Sequence, residues 1–464
     1  MLIRTDYLVV GAGASGLAFA DQILAAADVE VTVIDRREVP GGHWADTYPF
    51  VRLHTPSAYY GVNSLALGED RIDEAGENAG FYERARGPEI FDYFAEAAQR
   101  LSQTGRCQLL LGHEHLGGGG EGERVRELAS GEVHEVEVRR KVVDARYLEG
   151  AIPATHTPSF EVAAGARLVP VNELPSAAQT GLSYSVLGSG KTAVDACMWL
   201  LDNGVEPERI RWVRPREAWF YDRRHFQPLD QVGAIMEGNA LDIEAAVNAV
   251  SIEDLFERLE ASGRMSRIDR TSPATMYRGT MLSANELSAM RQIEEVVRLG
   301  RVRSIESDRM VLEQGETPTS SEVLHVDCTA IGISNAPATP IFQPGRIVIQ
   351  SVRHLSPSFN AALLAFVETN REDDAERNRL CPPNPYPTAL ADWPRMMSRT
   401  WRTEALWLGE PDLGTWVLES RLNLIRALPD HLAEPAVQSA VERYLTQVGT
   451  AIERLRELEA PPGS

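Results

Sequence analysis

Short β-branched runs alternate with alanine- and leucine-rich stretches from the first residues onward. Tyr7 to Val10 is a continuous apolar run suited to a strand buried on both faces. Gly11-Ala12-Gly13-Ala14-Ser15-Gly16 interrupts it, Leu17 to Ala27 has a helical pattern, and Val29 to Ile34 is a β-branched run ending on Asp35. The same design returns once. Ser185 to Leu187 reads as a strand, Gly188-Ser189-Gly190-Lys191-Thr192-Ala193 as the turn, Val194 to Leu201 as the helix and Ile210 to Val213 as the next strand. The two units lie too far apart for a solenoid. Between them, the glycine-dense stretch from Gly112 to Gly122 marks a hairpin or loop. Beyond them, Gln227 to Gly300 reads as mostly helical and acidic, Val323 to Ala330 as a strand, and the proline-rich tail from Cys381 as helical through Leu458. Strand–helix alternation of this kind predicts an α/β fold with two Rossmann-like parallel sheets.

The two glycine turns carry the chemistry. In the first, Gly11 permits a tight turn, Gly13 lets the backbone approach a pyrophosphate, and Gly16 allows close packing of helix on strand. The helix N-terminus then offers free N–H groups to phosphate. Asp35 follows Gly16 by roughly 20 residues and is placed to accept from a ribose diol. Gly11, Gly13, Ser15, Gly16, Asp35 and Arg36 are the candidate contacts of this first dinucleotide. A strand–turn–helix with no ligand is the plainer alternative, and the full spacing argues against it.

The second turn is similar to the end of a P-loop, but the first glycine of that motif would fall on Ser185, so the GxGxxA form ending at Ala193 fits better. The following strand ends in Arg214-Pro215-Arg216 and lacks a carboxylate. Paired arginines there suit a 2′-phosphate, which favours NADPH over NADH; a solvated strand end is the alternative reading. Gly188, Ser189, Gly190, Lys191, Thr192, Arg214 and Arg216 are the candidate contacts of this second dinucleotide.

Composition narrows the partners. The 464 residues carry a net charge of −21, which disfavours nucleic-acid backbones and anionic membranes and otherwise serves solubility. Cys107, Cys197, Cys328 and Cys381 are scattered, as expected of reduced thiols in the cytoplasm. The N-terminal pattern is not that of a signal peptide, and no run approaches a transmembrane span. His113-Glu114-His115 lacks metal-ligand spacing, so no metal is expected. Two dinucleotide units suggest FAD plus NADPH. The absence of a cysteine pair argues against disulfide reduction, which needs an attacking and a resolving sulfur.

Gly41-Gly42-His43-Trp44 resembles the GGxW element of the class B flavoprotein monooxygenases, which include flavin-containing, N-hydroxylating and Baeyer–Villiger enzymes. The segment Tyr48-Pro49-Phe50-Val51-Arg52-Leu53-His54-Thr55-Pro56-Ser57 resembles the Baeyer–Villiger pattern YPGxRxDxPS, with Phe50 for its glycine and His54 for its aspartate. The region around Arg214 and Trp219 is similar to the family's basic NADPH loop. Val326 to Gly332 resembles the strand ending in ATG, with Ile331 for threonine. Gly150, His156 and Phe160 follow the fingerprint between the two nucleotide motifs, with a longer gap from glycine to histidine. These elements run in order over residues 1–340.

What the resemblance implies is a reaction sequence. NADPH reduces FAD, the reduced flavin captures O2 as a C4a-(hydro)peroxyflavin, and one oxygen atom passes to a small-molecule substrate. A protonated hydroperoxide attacks an amine nitrogen or a sulfide; a deprotonated one attacks a ketone. Gly42, His43 and Trp44 join the cofactor contacts, and His54 and Arg278 become the candidate catalytic residues. His54, if it lies beside the flavin, would titrate near neutral pH, a packed and hydrogen-bonded imidazole being the alternative; Arg278 would hold the peroxide, a surface arginine in a helical insert being the alternative.

The expected organisation is an FAD-binding domain at 1–165 and 320–380, an NADPH-binding domain at 166–319 with a helical insert at 225–300, and a C-terminal helical region at 381–464. The expected activity is NADPH-consuming oxygenation at nitrogen or sulfur. Baeyer–Villiger oxidation is the close alternative, and an electron-transfer reductase, an oxidase or a non-catalytic redox-sensing module are those of other classes. No sequence feature sets an oligomeric state.

Overall fold

Two parallel sheets form the centre of the computed structural model, which describes residues 2–118, 122–332 and 336–459. In the first sheet, Leu2–Val10 lies between Val133–Asp144 and Val31–Asp35, and Cys107–Leu111 and Arg346–Val348 extend it in parallel on either side. The helices Ala14–Ala26 and Pro357–Asn370 pack against each other. Leu17, Phe19, Ile23 and Phe359 fill the core with Val9 and Val33, so the strand is buried on both faces and needs no alternation of polar residues. The glycine-dense stretch forms the hairpin His113–Gly118 with Glu123–Glu127 at the sheet's edge; Gly119 and Gly120 lie outside the described residues.

The second sheet runs Val296–Val297, Ile210–Val213, Ser183–Leu187, Val323–Asp327, Arg167–Pro170, all parallel. This corrects one expected boundary. The strand at 323–327, expected in the first domain, pairs with Ser183–Leu187 and belongs to the second sheet. Leu324 and Val326 fill that sheet's centre, and the chain rejoins the first sheet at the antiparallel pair Phe342–Gln343 and Arg346–Val348.

The stretch at 225–300 is less helical than its pattern. Helices Val232–Asn248 and Ile252–Ala261 form as expected. Met265–Arg267 and Ala274–Leu282 then flank Glu217–Asp222 in a three-stranded sheet. Tyr277 and Met281 bury themselves with Trp219, Tyr221 and Phe256, a gain that a solvated helix would forgo. The tail supplies helices Asp392–Leu408, Pro411–Glu419 and Pro435–Glu459. The last lies along Val232–Asn248, where Arg443 meets Glu237 and Glu244, each at 2.7 Å. Insert and tail thus share one core, which includes Phe256, Trp393, Trp401 and Leu455.

Candidate active site

At the first glycine turn, backbone approaches backbone. Gly11 has φ +112°, and a Cβ on Gly16 would sit 1.9 Å from the Gly11 carbonyl oxygen. Gly42 has φ +62°, and a Cβ there would lie 2.9 Å from Gly13 Cα, so the Gly41-Gly42 bend presses on the turn. Gly41 N–H donates to Ala12 O at 2.8 Å and fixes that approach. Helix Ala14–Ala26 begins at Gly13 with no side-chain cap and no acidic residue in its first turn, leaving its leading N–H groups for a ligand. Asp35 is buried and accepts from Ala12 N–H at 2.7 Å, which holds its carboxylate beside the turn. Ser15 stands in that first turn, and Arg36 is exposed and paired with Glu149. Trp44 is buried, donates to Tyr60 OH at 2.8 Å, and has the His43 ring 4.9 Å from its own.

The second turn is built alike. Gly188 has φ +131°, with the Cys328 carbonyl oxygen 2.7 Å from where a Cβ would be. Helix Lys191–Asp202, with Thr192 in its first turn, starts at Gly190 without a side-chain cap and with no acidic residue in its first turn. Exposed Arg216 hydrogen-bonds through its backbone to Ser189 Oγ at 3.4 Å, and its guanidinium is near that of Arg278; burial and this neighbour lower the Arg278 pKa. Arg278 lies half-buried on strand Ala274–Leu282, not on a helix.

Two assignments at this turn change. Arg214 is buried, 3.2 Å from Glu217 and stacked on Trp212, so it faces inward while Arg216 stays at the surface. Lys191 is also buried. Its ammonium hydrogen-bonds to Asp195 on its own helix and lies 3.3 Å from Glu286, where the sequence suggested a phosphate ligand.

Lys191 opens a buried network that the sequence did not reveal. Glu286 is 1% exposed and also meets Arg223 at 2.6 Å and Arg84 at 3.9 Å. Burial opposes its ionisation, yet Lys191, Arg223 and Arg84 together hold its carboxyl well below the usual range. The same groups pin the segment carrying His54. Tyr48 OH donates to Asp195 at 2.7 Å, Arg84 donates to Leu53 O at 3.0 Å and Arg223 to His54 O at 3.4 Å. Ser283-x-x-Glu286 is a visible capping box, so in the sequence Glu286 reads only as a helix start.

His54 does not titrate near neutral pH as expected. Burial, followed by Lys191 against the opposing pull of Asp195 and then Arg84 and Arg223, pushes its imidazole down to about 4. It is neutral at pH 7 and offers one N–H donor and one acceptor.

Next to His54, Thr55 and Tyr59 open a cavity closed by Tyr221 on strand Glu217–Asp222 and by Phe226, Trp401 and Tyr444 from the insert and tail. His354, Leu355 and Ser356, leading into helix Pro357–Asn370, form another wall. Leu355 has φ +59°, and Gly279 makes room for His354, whose Nε2 is 2.3 Å from where a Gly279 Cβ would be. Burial pushes His354 down to about 3. The four cysteines are buried and free, and no helix among the described residues is long and apolar enough to cross a membrane.

Residues 9–67 match the model of the NAD(P)-binding Rossmann-like domain. Uncharacterised proteins of Mycobacterium tuberculosis and Mycobacterium bovis are 42% identical over 460 residues, 98% of this chain and 84% of theirs. Among solved structures, cyclohexanone monooxygenase in an open form superposes with a TM-score of 0.50 at 15% identity, over 82% of this chain and 92% of that one. The polycyclic ketone monooxygenase of Thermothelomyces thermophila gives 0.51 at 11% identity, over 98% and 87%. The chain belongs to the family of these mycobacterial proteins, and its fold is that of the class B flavoprotein monooxygenases.

Proposed function

We propose that this chain is an FAD- and NADPH-dependent monooxygenase that oxygenates a small substrate at nitrogen or sulfur. The observation that carries the reading is a pair of uncapped helix N-termini, each opened by a glycine turn at the carboxyl end of a parallel sheet. The residues fit the two groups. Gly11, Gly13 and Gly16 give the backbone contour of a pyrophosphate cradle, Ser15 and the leading N–H groups would hold its phosphates, and Asp35 and Arg36 flank the ribose position. Gly42, His43 and Trp44 would border the flavin side. Gly188, Ser189, Gly190 and Thr192 would hold the second pyrophosphate, and Arg216 with Arg278 would supply the positive charge that a 2′-phosphate needs.

When bound, the flavin accepts hydride from NADPH and supplies the redox chemistry with O2. The chain contributes orientation and exclusion of water. The Glu286 network fixes the His54 segment between the two nucleotide units, and the helical layer closes the cavity next to it. Neutral His54 can hold a proton at one ring nitrogen without adding charge, which supports oxygenation of a soft nucleophile. The likeness in fold to cyclohexanone and polycyclic ketone monooxygenases favours Baeyer–Villiger oxidation as the second reading. Electron transfer without oxygenation predicts rapid NADPH consumption and no oxygenated product.

The test is anaerobic reduction of the purified, FAD-loaded protein by NADPH and by NADH. Bleaching of the flavin with at least about tenfold preference for NADPH supports the reading. A protein that binds no flavin, or whose flavin neither nucleotide reduces, contradicts it.

A further inference from the structure

One end of the cavity is polar, and its charges cancel. Arg264 holds Asp242 from Nε at 3.0 Å and Nη2 at 2.7 Å. Arg353 lies 2.7 Å from Glu404 and donates from Nη1 to Asn423 Oδ1 at 2.8 Å. All five residues line the cavity, and Tyr444, on Pro435–Glu459, is near enough to feel Glu404, Arg353 and Asp242 together.

Hydrogen-bonding capacity does not cancel. Arg264 Nη1 and Asn423 Nδ2 are buried without a hydrogen-bond partner, on residues that are 3% and 1% exposed, while Arg353 Nε is the atom that faces Glu404 Oε1. Both Asp242 oxygens and Asn423 Oδ1 are already engaged. Glu404 Oε2 accepts no hydrogen bond among the described residues, and the Glu404 side chain is 30% exposed. The polar end therefore has donors in excess and one acceptor to spare, while Tyr221, Phe226 and Trp401 offer an aromatic lining beyond it.

A ligand bringing a formal charge here would upset two balanced ion pairs in a low-dielectric site. A hydrocarbon would leave the nitrogens unsatisfied. A neutral group with a carbonyl oxygen for the donors and an N–H for Glu404 meets both conditions. We propose that this end of the cavity binds a neutral carboxamide head on the substrate, whose apolar body lies along Tyr221, Phe226 and Trp401. The proposal rests on reading this cavity as the substrate site of the monooxygenase.

The test uses binding without turnover, so its failure is separable from failure of oxygenation. FAD-loaded protein without NADPH is titrated by calorimetry with 3-phenylpropanamide, 3-phenylpropanoate and propylbenzene. The amide is expected to bind at least about tenfold more tightly than either comparator. Glu404→Gln leaves Arg353 uncompensated and is expected to move the amide-to-carboxylate ratio at least about tenfold toward the carboxylate. Equal or tighter binding of the carboxylate or hydrocarbon by the unmodified protein, no binding of any of the three, or a ratio that Glu404→Gln leaves unchanged would overturn the proposal.

Discussion

Gly16 and Gly190 are both turn glycines, but different things require them. Gly16 is demanded by the protein, since any Cβ would collide with the Gly11 carbonyl. Gly16→Ala should cost about 3 kcal/mol or more and empty the flavin site, seen as an early melt and loss of bound-flavin absorbance. Gly190 has extended backbone, and a methyl group added to it would meet nothing within 4 Å, so a ligand is the only neighbour to crowd. Gly190→Ala should melt within about 2 °C of the parent while weakening NADPH binding about tenfold or more. Early melting with unchanged NADPH affinity would remove the second turn from the dinucleotide site. The histidines give a pH signature. Burial is the largest cause in each case, and it pushes His54 and His325 to about 4 and His225 and His354 to about 3. The unfolded chain takes up these protons near pH 6.5, the folded one only well below it. The histidine contribution to stability is therefore complete above about pH 7 and is lost as the pH drops from about 6.5 toward 4. Urea midpoints at pH 8, 7, 6 and 5 check this; a midpoint constant down to pH 5 would refute it.

Among the elements, Pro435–Glu459 matters to the chemistry without touching a glycine turn. It lies on Val232–Asn248 and carries Tyr444 into the cavity wall. Leu455 is fully buried on it, and Leu455→Ala should cost about 2–5 kcal/mol at that contact. Flavin content and NADPH reduction should survive, while more of the consumed NADPH should appear as hydrogen peroxide, measured by a coupled peroxide assay. Unchanged coupling would mean that the tail does not shield the site. The strand–glycine–helix units were legible because each is specified by neighbours in sequence: an apolar run, glycines at fixed offsets, then a helical pattern. Ala274–Leu282 was not. Its partner strand Glu217–Asp222 lies far upstream, and Tyr277 and Met281 fit a helix face as readily as a strand until Trp219 and Phe256 are brought beside them. Residues 323–327 read as a strand in the sequence, but which sheet they join does not, because pairing is a tertiary choice.

Across the whole molecule, the Glu286 network joins the first-domain segment at Tyr48–His54 to the second nucleotide helix. No sequence window contains it, since Lys191 and Glu286 stand 95 residues apart. The glycine turns are readable from local spacing, whereas the inward turn of Lys191 toward Glu286 depends on a carboxylate 95 residues away, and that of Arg214 on Glu217 and Trp212 beside it. Glu286→Gln would leave Lys191, Arg223 and Arg84 without their shared counter-charge. A loss of about 3–5 kcal/mol is expected, read by denaturant unfolding, together with slower flavin reduction at saturating NADPH. A stable variant with normal reduction would show that the network is not what couples the two units. The most direct measurement is the fate of oxygen. The FAD-loaded protein is given NADPH, 18O2 and a candidate sulfide or amine, and label in the organic product is compared with NADPH consumed and peroxide released. One labelled oxygen atom in the product, in proportion to the NADPH not lost to peroxide, is the expected result. NADPH consumption matched entirely by hydrogen peroxide or a reduced acceptor, with no label in amine, sulfide or ketone substrates, would contradict the monooxygenase assignment.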